Sequence, residues 1–324
     1  TQFMKWFLIF VLAGSILPLW LAGSSVSSEA DEGSKKEWGI YEMLTRRYSW
    51  EERLDDASND LGANPQFVLF FRDLNPRRSF PDEQVKSAHT RSMTPVISLE
   101  ISEWGRGRDD AGYLKGVAAG QFDDYFRQWA MDAKANGLPL ILRFGFEMNG
   151  DWFAWGEQPE TFVIAWRRTY NLFKEVGADN VQWMFSPNVL WDKRTEKKDF
   201  YNYYPGAAYV DLIGLDGYNF GDHHDKWHEW QTYEEVFERT IRASLKFNKP
   251  IYLSEIGCAD DKRKPAWIRD FLEKISNDDR LEGFIYFNHF NPRKGEPNWR
   301  VDSDPETLKI FREWAAENEG KPEL

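Results

Sequence analysis

From Trp38 onward, short apolar runs rich in β-branched and aromatic residues alternate with longer stretches in which apolar positions recur at helical spacing. The runs are WGIYEM (38–43), FVLFFRD (67–73), PVISLE (95–100), PLILRFGFE (139–147), VQWMFS (181–186), DLIGLDGY (211–218), PIYLSE (250–255) and GFIYFN (283–288). Between them, Ser49 with Glu52 and Thr232 with Glu235 have capping-box spacing. Pro159, Pro265 and Pro305 sit where a first-turn proline is tolerated, and Gly62, Gly137 and Gly177 close helical patterns. Within 121–136, Phe122, Phe126, Trp129 and Ala133 fall on one helix face. Eight β runs, each followed by a helix or a long loop, predict an α/β fold: a single-domain (β/α)8 TIM barrel. The rival is an open doubly wound sheet, but no Gly-rich phosphate loop follows the first strand.

The N-terminal pattern is different. Residues 6–23 (WFLIFVLAGSILPLWLAG) form an uncharged run preceded by Lys5, close to the length that spans a bilayer. Gly23-Ser24-Ser25 offers small residues for signal cleavage, so the run reads as a signal peptide or as a retained membrane anchor. The polar stretch that follows reads as a linker. The expected organisation is 1–23 signal or anchor, 24–37 linker and 38–324 catalytic barrel, in an extracytoplasmic protein that is secreted or tethered through residues 6–23.

Composition narrows the partners. Lys and Arg number 41 against 53 Asp and Glu, a formal charge of -12, and no basic block interrupts it, which argues against a nucleic-acid partner. The single Cys258 excludes an intramolecular disulfide and a multi-Cys zinc site. Aromatic residues make up 16% of the chain, which points to flat, weakly polar ligands such as sugar rings.

In a TIM barrel the chemistry sits at the C-terminal ends of the strands. Glu147 ends the fourth run and Glu255 the seventh, so both are expected at the barrel mouth. Paired carboxylates there can hydrolyse a glycoside, at about 5 to 5.5 Å for retention or about 6.5 to 9.5 Å for inversion. Taken singly, a glutamate at a strand end is more often a solvated rim residue or a salt-bridge partner; two of them, at the fourth and seventh strands with aromatics around them, reverse that. Arg143, placed on the same strand as Glu147, should share its inward face and support a carboxylate or form a structural ion pair. Trp152, Trp155, Trp183, Tyr286 and Phe287 are candidate sugar platforms, with packing between strand and helix as the alternative. Asn149 and Asn188 are candidate ligands for sugar hydroxyls, or turn residues. In GDHHDKWHEW (221–230), His224 and His228 have a zinc-clamping i, i+4 spacing, but the glutamate base of a zinc hydrolase motif is missing between them. That stretch, with Asp222 and Asp225, reads as a solvated loop. Cys258 reads as a buried structural thiol.

FVLFFRD, RFGFEMNGDWFAWG, QWMFSPN, YYPGAAYVDLIGLDGYNF, PIYLSEIG and FNHF followed by WRVDSD closely resemble, in family order, glycoside hydrolase family 26. This is a clan A family of β-mannanases and related β-glycanases, and the resemblance covers nearly the whole chain after the linker. It implies a retaining mechanism with Glu147 as general acid/base, Glu255 as nucleophile and Tyr218 hydrogen-bonded to the nucleophile, without metal or cofactor. One position departs from the pattern: members commonly carry histidine immediately before the acid/base, and here Phe146 stands there. A phenyl ring cannot donate to a sugar hydroxyl or a neighbouring carboxylate, so Phe146 bears on substrate preference and on the acid's pKa. The resemblance therefore implies an endo-acting hydrolase of a β-linked polysaccharide, foremost β-1,4-mannan. The alternatives are a β-glucanase, a hydrolase trimming an exopolysaccharide beside a polysaccharide synthase or exporter, and a catalytically weak glycan-binding or assembly subunit.

Overall fold

The computed structural model describes residues 35–43, 48–104, 112–190, 200–223 and 229–319. Eight strands form a closed, wholly parallel barrel in which each strand pairs with its neighbours in sequence and β8 returns to β1. The strands are β1 (Glu37–Tyr41), β2 (Phe67–Asp73), β3 (Thr94–Glu100), β4 (Leu140–Phe144), β5 (Val181–Phe185), β6 (Leu212–Asn219), β7 (Ile251–Cys258) and β8 (Gly283–Tyr286). The helices are α1 (Trp50–Leu61), α2 (Asp82–His89), α3 (Gly112–Ala118), α4 (Asp123–Asn136), α5 (Pro159–Val176), α6 (Tyr233–Ser244), α7 (Lys264–Ser276) and α8 (Pro305–Glu317). The hydrophobic run 6–23 and the residues His224, Asp225 and His228 lie outside the described residues. Among the described residues no helix is long and apolar enough to cross a membrane.

The helix ends follow from local chemistry. Ser49 and Thr232 each accept from the third backbone amide of their helix, and Glu52 and Glu235 reach back to the cap amide, so both capping boxes are complete. Gly62, Gly137 and Gly177 close α1, α4 and α5 with φ of 69°, 73° and 78°, a left-handed turn that a side chain disfavours.

Two apolar clusters divide the molecule. The smaller takes Tyr41, Leu69, Val96, Ile141, Met184, Leu212, Tyr252 and Ile285, with Phe67, so that all eight strands contribute to a plug inside the barrel. The larger joins the outward positions of the strands to the helices. Above the plug the inward positions turn polar: Ser98, Arg143, Ser186, Asp216 and Ser254 are all buried. Strand alternation assigns each residue to one layer or the other, and one interruption matters. Gly214 pairs with Tyr252 but Asp216 with Glu255, and on the other side Leu253 pairs with Phe284 but Ile256 with Tyr286. β7 therefore carries one extra residue. This bulge lets the consecutive Ser254 and Glu255 both face inward between Leu253 and Ile256, which face the helices.

Candidate active site

Arg143 is the hub of the barrel mouth. It projects from β4 into the interior, fully buried, and donates to Ser98 Oγ (2.7 Å) on β3, Ser186 Oγ (3.0 Å) just after β5, Asp216 Oδ2 on β6 and Glu255 Oε1 (2.7 Å) on β7. Ser254 Oγ donates to the other oxygen of Asp216 at 2.6 Å. Gly214 makes room for the two hydroxyls, since a Cβ there would overlap Ser254 Oγ and lie 2.5 Å from Ser186 Oγ. Burial pushes the Asp216 carboxyl well above its ordinary range while Arg143 pulls it back.

Glu147 reaches the same place by another route. β4 ends at Phe144, three residues earlier than the apolar pattern suggests, and the chain then turns through Gly145 (φ 55°) and Glu147 itself (φ 51°). A left-handed glutamate costs about 1 to 2 kcal/mol, and here it is held by Glu147 N donating to Ser186 O at 2.7 Å and Gly150 N donating to Glu147 O at 3.0 Å. Gly145 cannot be replaced cheaply, because its Cβ would meet Phe162 at 2.8 Å. The strained turn aims the carboxylate into the mouth, where Oε1 accepts from Asn188 Nδ2 (2.9 Å) and Oε2 from Trp152 Nε1 (2.5 Å). Burial, reinforced by the Glu255 charge and opposed by those two donors, pushes the Glu147 pKa up to about 7.

Glu255 is held differently. Arg143 donates to its Oε1 and the Tyr218 hydroxyl to its Oε2. Burial, followed by the Glu255 charge, pushes Tyr218 well above the usual phenol range, so it remains a donor. One carboxylate oxygen each of Glu147, Asp216 and Glu255 lies within 4.8 Å of the others. Such a trio could hold a cation, and the guanidinium of Arg143, bonded to two of the three, already supplies one. One carboxyl poised to carry a proton near neutrality thus faces another tied to two donors, an arrangement suited to acid/base and nucleophilic work at one bond.

The structure brings Glu147, Glu255, Tyr218, Arg143, Asn188 and Trp152 together, and it relocates several other candidates. Trp183 points outward, because Met184 fills the barrel and neighbouring residues alternate. Its ring lies 5.6 Å from Trp166 and 5.3 Å from Phe173, deep under α5. Tyr286 faces outward too, fully buried, with its hydroxyl on Trp299 O at 2.8 Å. Neither can meet a sugar. Of the pair from the eighth run only the half-buried Phe287 lies on the inner side, stacked on Tyr41 at 4.5 Å. Trp155 is buried, donating to Phe146 O at 2.8 Å and stacked on Phe153 at 4.4 Å, so it props the acid's loop instead of offering a platform. Asn149 is spent on Asn188, accepting from its amide (2.8 Å) and donating to its carbonyl (2.9 Å), which sets the Asn188 side chain against Glu147. Phe146 is buried with the Arg143 guanidinium 5.1 Å from its ring centroid. Cys258 is buried, and burial raises its thiol pKa.

Sequence reasoning missed Asp216, the three serines and Tyr41. Asp216 had a signal: it stands two residues before Tyr218 on the same strand and so on the same face. The serines had none, since a small hydroxyl in a buried strand looks the same on either face.

Residues 116–264 match the model of glycosyl hydrolase family 26. Endoglucanase H of Acetivibrio thermocellus is 34% identical over 206 residues, 61% of this chain and 22% of that protein. Mannan endo-1,4-beta-mannosidase A and B of Caldalkalibacillus mannanilyticus is 33% identical over 183 residues, 52% of this chain and 32% of that protein. The chain thus spans under a third of the length of these relatives. Among solved structures, the catalytic domain of a Bacillus sp. JAMB-750 endo-beta-1,4-mannanase shares the fold with a TM-score of 0.63 at 19% identity, covering 90% of this chain and 88% of that one. A Cellulomonas fimi endo-beta-1,4-mannanase double mutant does so at 0.67 and 18% identity, covering 88% and 72%.

Proposed function

We propose that this chain, whose residues 116–264 match glycosyl hydrolase family 26, is a retaining endo-β-glycosidase of that family acting on a β-linked polysaccharide, foremost β-1,4-mannan. The observation that carries this reading is the close approach of Glu147 and Glu255, with oxygens within 4.8 Å, on the retaining side of the known carboxyl separations. Protonated Glu147 gives its proton to the leaving glycosidic oxygen as Glu255 attacks the anomeric carbon, forming a glycosyl ester. Glu147, now a carboxylate, takes a proton from the incoming water, whose oxygen attacks the same carbon and releases Glu255. Arg143 and Tyr218 orient Glu255, and Trp152 and Asn188 orient Glu147. The half-exposed ring of Trp152 and the inner face of Phe287 serve as sugar platforms.

A β-glucan substrate is the second reading, favoured by the longer match to an endoglucanase and by Phe146, which offers a sugar hydroxyl no hydrogen bond. An exopolysaccharide emerging from a synthase or exporter keeps the same chemistry. Support for an extracytoplasmic location, with residues 6–23 as export signal or tether, is the hydrophobicity of that run.

The test compares reducing-end release from mannan, glucomannan, mixed-linkage glucan and xylan, together with an aryl glycoside whose leaving group needs no proton. Glu147→Ala should cleave the aryl glycoside and stall as the glycosyl enzyme, while Glu255→Ala should lose roughly 10³-fold or more on every substrate. Full turnover by Glu255→Ala would sink the assignment. Binding of a polysaccharide without any turnover by the native protein would leave a glycan-binding role.

A further inference from the structure

On the flank of the mouth, between the β2–α2 loop and α4, lies a cavity of about 530 Å³ lined by Arg77, Arg78, Gln121, Phe122, Tyr125 and Gln128, among others. None of its lining residues is acidic, in a chain of net charge -12. Of the nearby acids, Asp73 accepts from Trp104 N (3.0 Å) and pairs with the lining residue Arg78 (2.9 Å), Asp123 pairs with Arg168 (2.6 Å) and Asp124 with Arg127 (3.1 Å), which leaves Arg77 as the lining arginine without an acidic partner among the described residues. Three buried polar atoms here have no hydrogen-bond partner among the described residues: the donors Arg72 Nε and Tyr125 Oη and, its ion pair with Arg78 apart, the acceptor Asp73 Oδ1. Arg72 stands on β2 within electrostatic reach of Arg78 and Asp73, with the neutral Tyr125 beside it. Buried donors left without acceptors are rare, and two beside an arginine-lined cavity ask for an oxyanion.

We propose that this cavity binds a carboxylate-bearing sugar residue, such as a uronate, as a site separate from the catalytic carboxylates. Arg77 and the Tyr125 hydroxyl take the carboxylate, the ring lies on Phe122 and Tyr125, and the side-chain amide of Gln121 meets its hydroxyls. Arg78 also lies over the exposed Trp104 ring at 4.7 Å, and Trp104 follows β3 at the catalytic mouth. An acidic branch or neighbouring unit of the polysaccharide would thus be held beside the cleft. The choice of a sugar rests on the proposed glycosidase activity; the preference for an anion does not.

The test is calorimetric titration of the full chain with a glucuronate-bearing oligosaccharide, its neutral counterpart and sodium sulfate, repeated with Arg77→Gln and Tyr125→Phe. The acidic oligosaccharide should bind about tenfold or more tightly than the neutral one, more weakly as salt rises, and each substitution should reduce its affinity several-fold. Tyr125→Phe keeps the ring and removes an orphaned hydroxyl, so its melting temperature should hold or rise, which separates lost binding from lost folding. Equal affinity for acidic and neutral sugars, affinity untouched by both substitutions, or sulfate binding as tightly as the oligosaccharide would each overturn the proposal. Reducing-end release from neutral glycans by the native chain tests the glycosidase reading separately.

Discussion

Trp152 Nε1 donates to Glu147 Oε2 at 2.5 Å from a ring that is itself 37% exposed, so one side chain both reaches the surface and holds the acid. The donated hydrogen bond favours the charged carboxylate and opposes the burial that lifts the Glu147 pKa to about 7. Trp152→Phe should therefore raise that pKa further. As the acid must be protonated, the alkaline limb of the kcat/KM profile, centred near 7 in the native protein, should move up by about 0.5 to 1 unit. A pH profile of the variant checks the sign; a limb that stays or moves down would contradict the geometry.

Arg143 compensates two buried carboxylates at once. Lysine in its place reaches one and leaves the other stranded, with Ser98 and Ser186 unpaired. Arg143→Lys should cost about 3 kcal/mol in urea unfolding and lower kcat far more than KM, since its partner Glu255 loses its orientation.

Gly214 is a packing position for the chemistry above it. Gly214→Ala drives a methyl into the Oγ atoms of Ser186 and Ser254, both of which contact the Arg143–Asp216 array. A loss of about 1 to 3 kcal/mol is expected, with reduced turnover, measurable by thermal melting and reducing-end assay.

Glu42 lies buried after β1, 3.1 Å from Arg53, and burial pushes its pKa up to about 7 against the pull of that arginine. The folded state then binds more protons than the unfolded chain between roughly 4.5 and 7. Its contribution is present below that window and declines as pH rises through it, by an amount on the order of 3 kcal/mol. Glu42→Gln, permanently neutral, should flatten the fall in melting temperature between pH 5 and pH 8; a parallel curve would exclude the assignment.

Much of the barrel was legible because its signals are local. β2 occupies the run 67–73 as read, and both capping boxes and three glycine caps stand where side-chain chemistry puts them. What stayed hidden was facing. Strands buried on both sides lose the alternation of apolar and polar residues, so Trp183 and Tyr286 looked as eligible as Phe287. The apolar run 139–147 concealed the left-handed turn at Gly145 and Glu147, because a helical or extended segment and a strained one share the same composition. Asp216 was obscured by its own burial: in sequence it is an acidic residue among glycines, and only the closed barrel sets it on Arg143.

The extra residue in β7 makes the site a matter of counting. Removing one residue between Tyr252 and Ile256 would restore an unbroken ladder, and would either delete Ser254 or Glu255 or turn Ser254 toward the helices, leaving a well-formed barrel without its complete constellation. Transplanting this constellation into another eight-stranded scaffold therefore requires carrying over an irregularity as well as side chains, and a scaffold idealised to perfect pairing would be an unsuitable host.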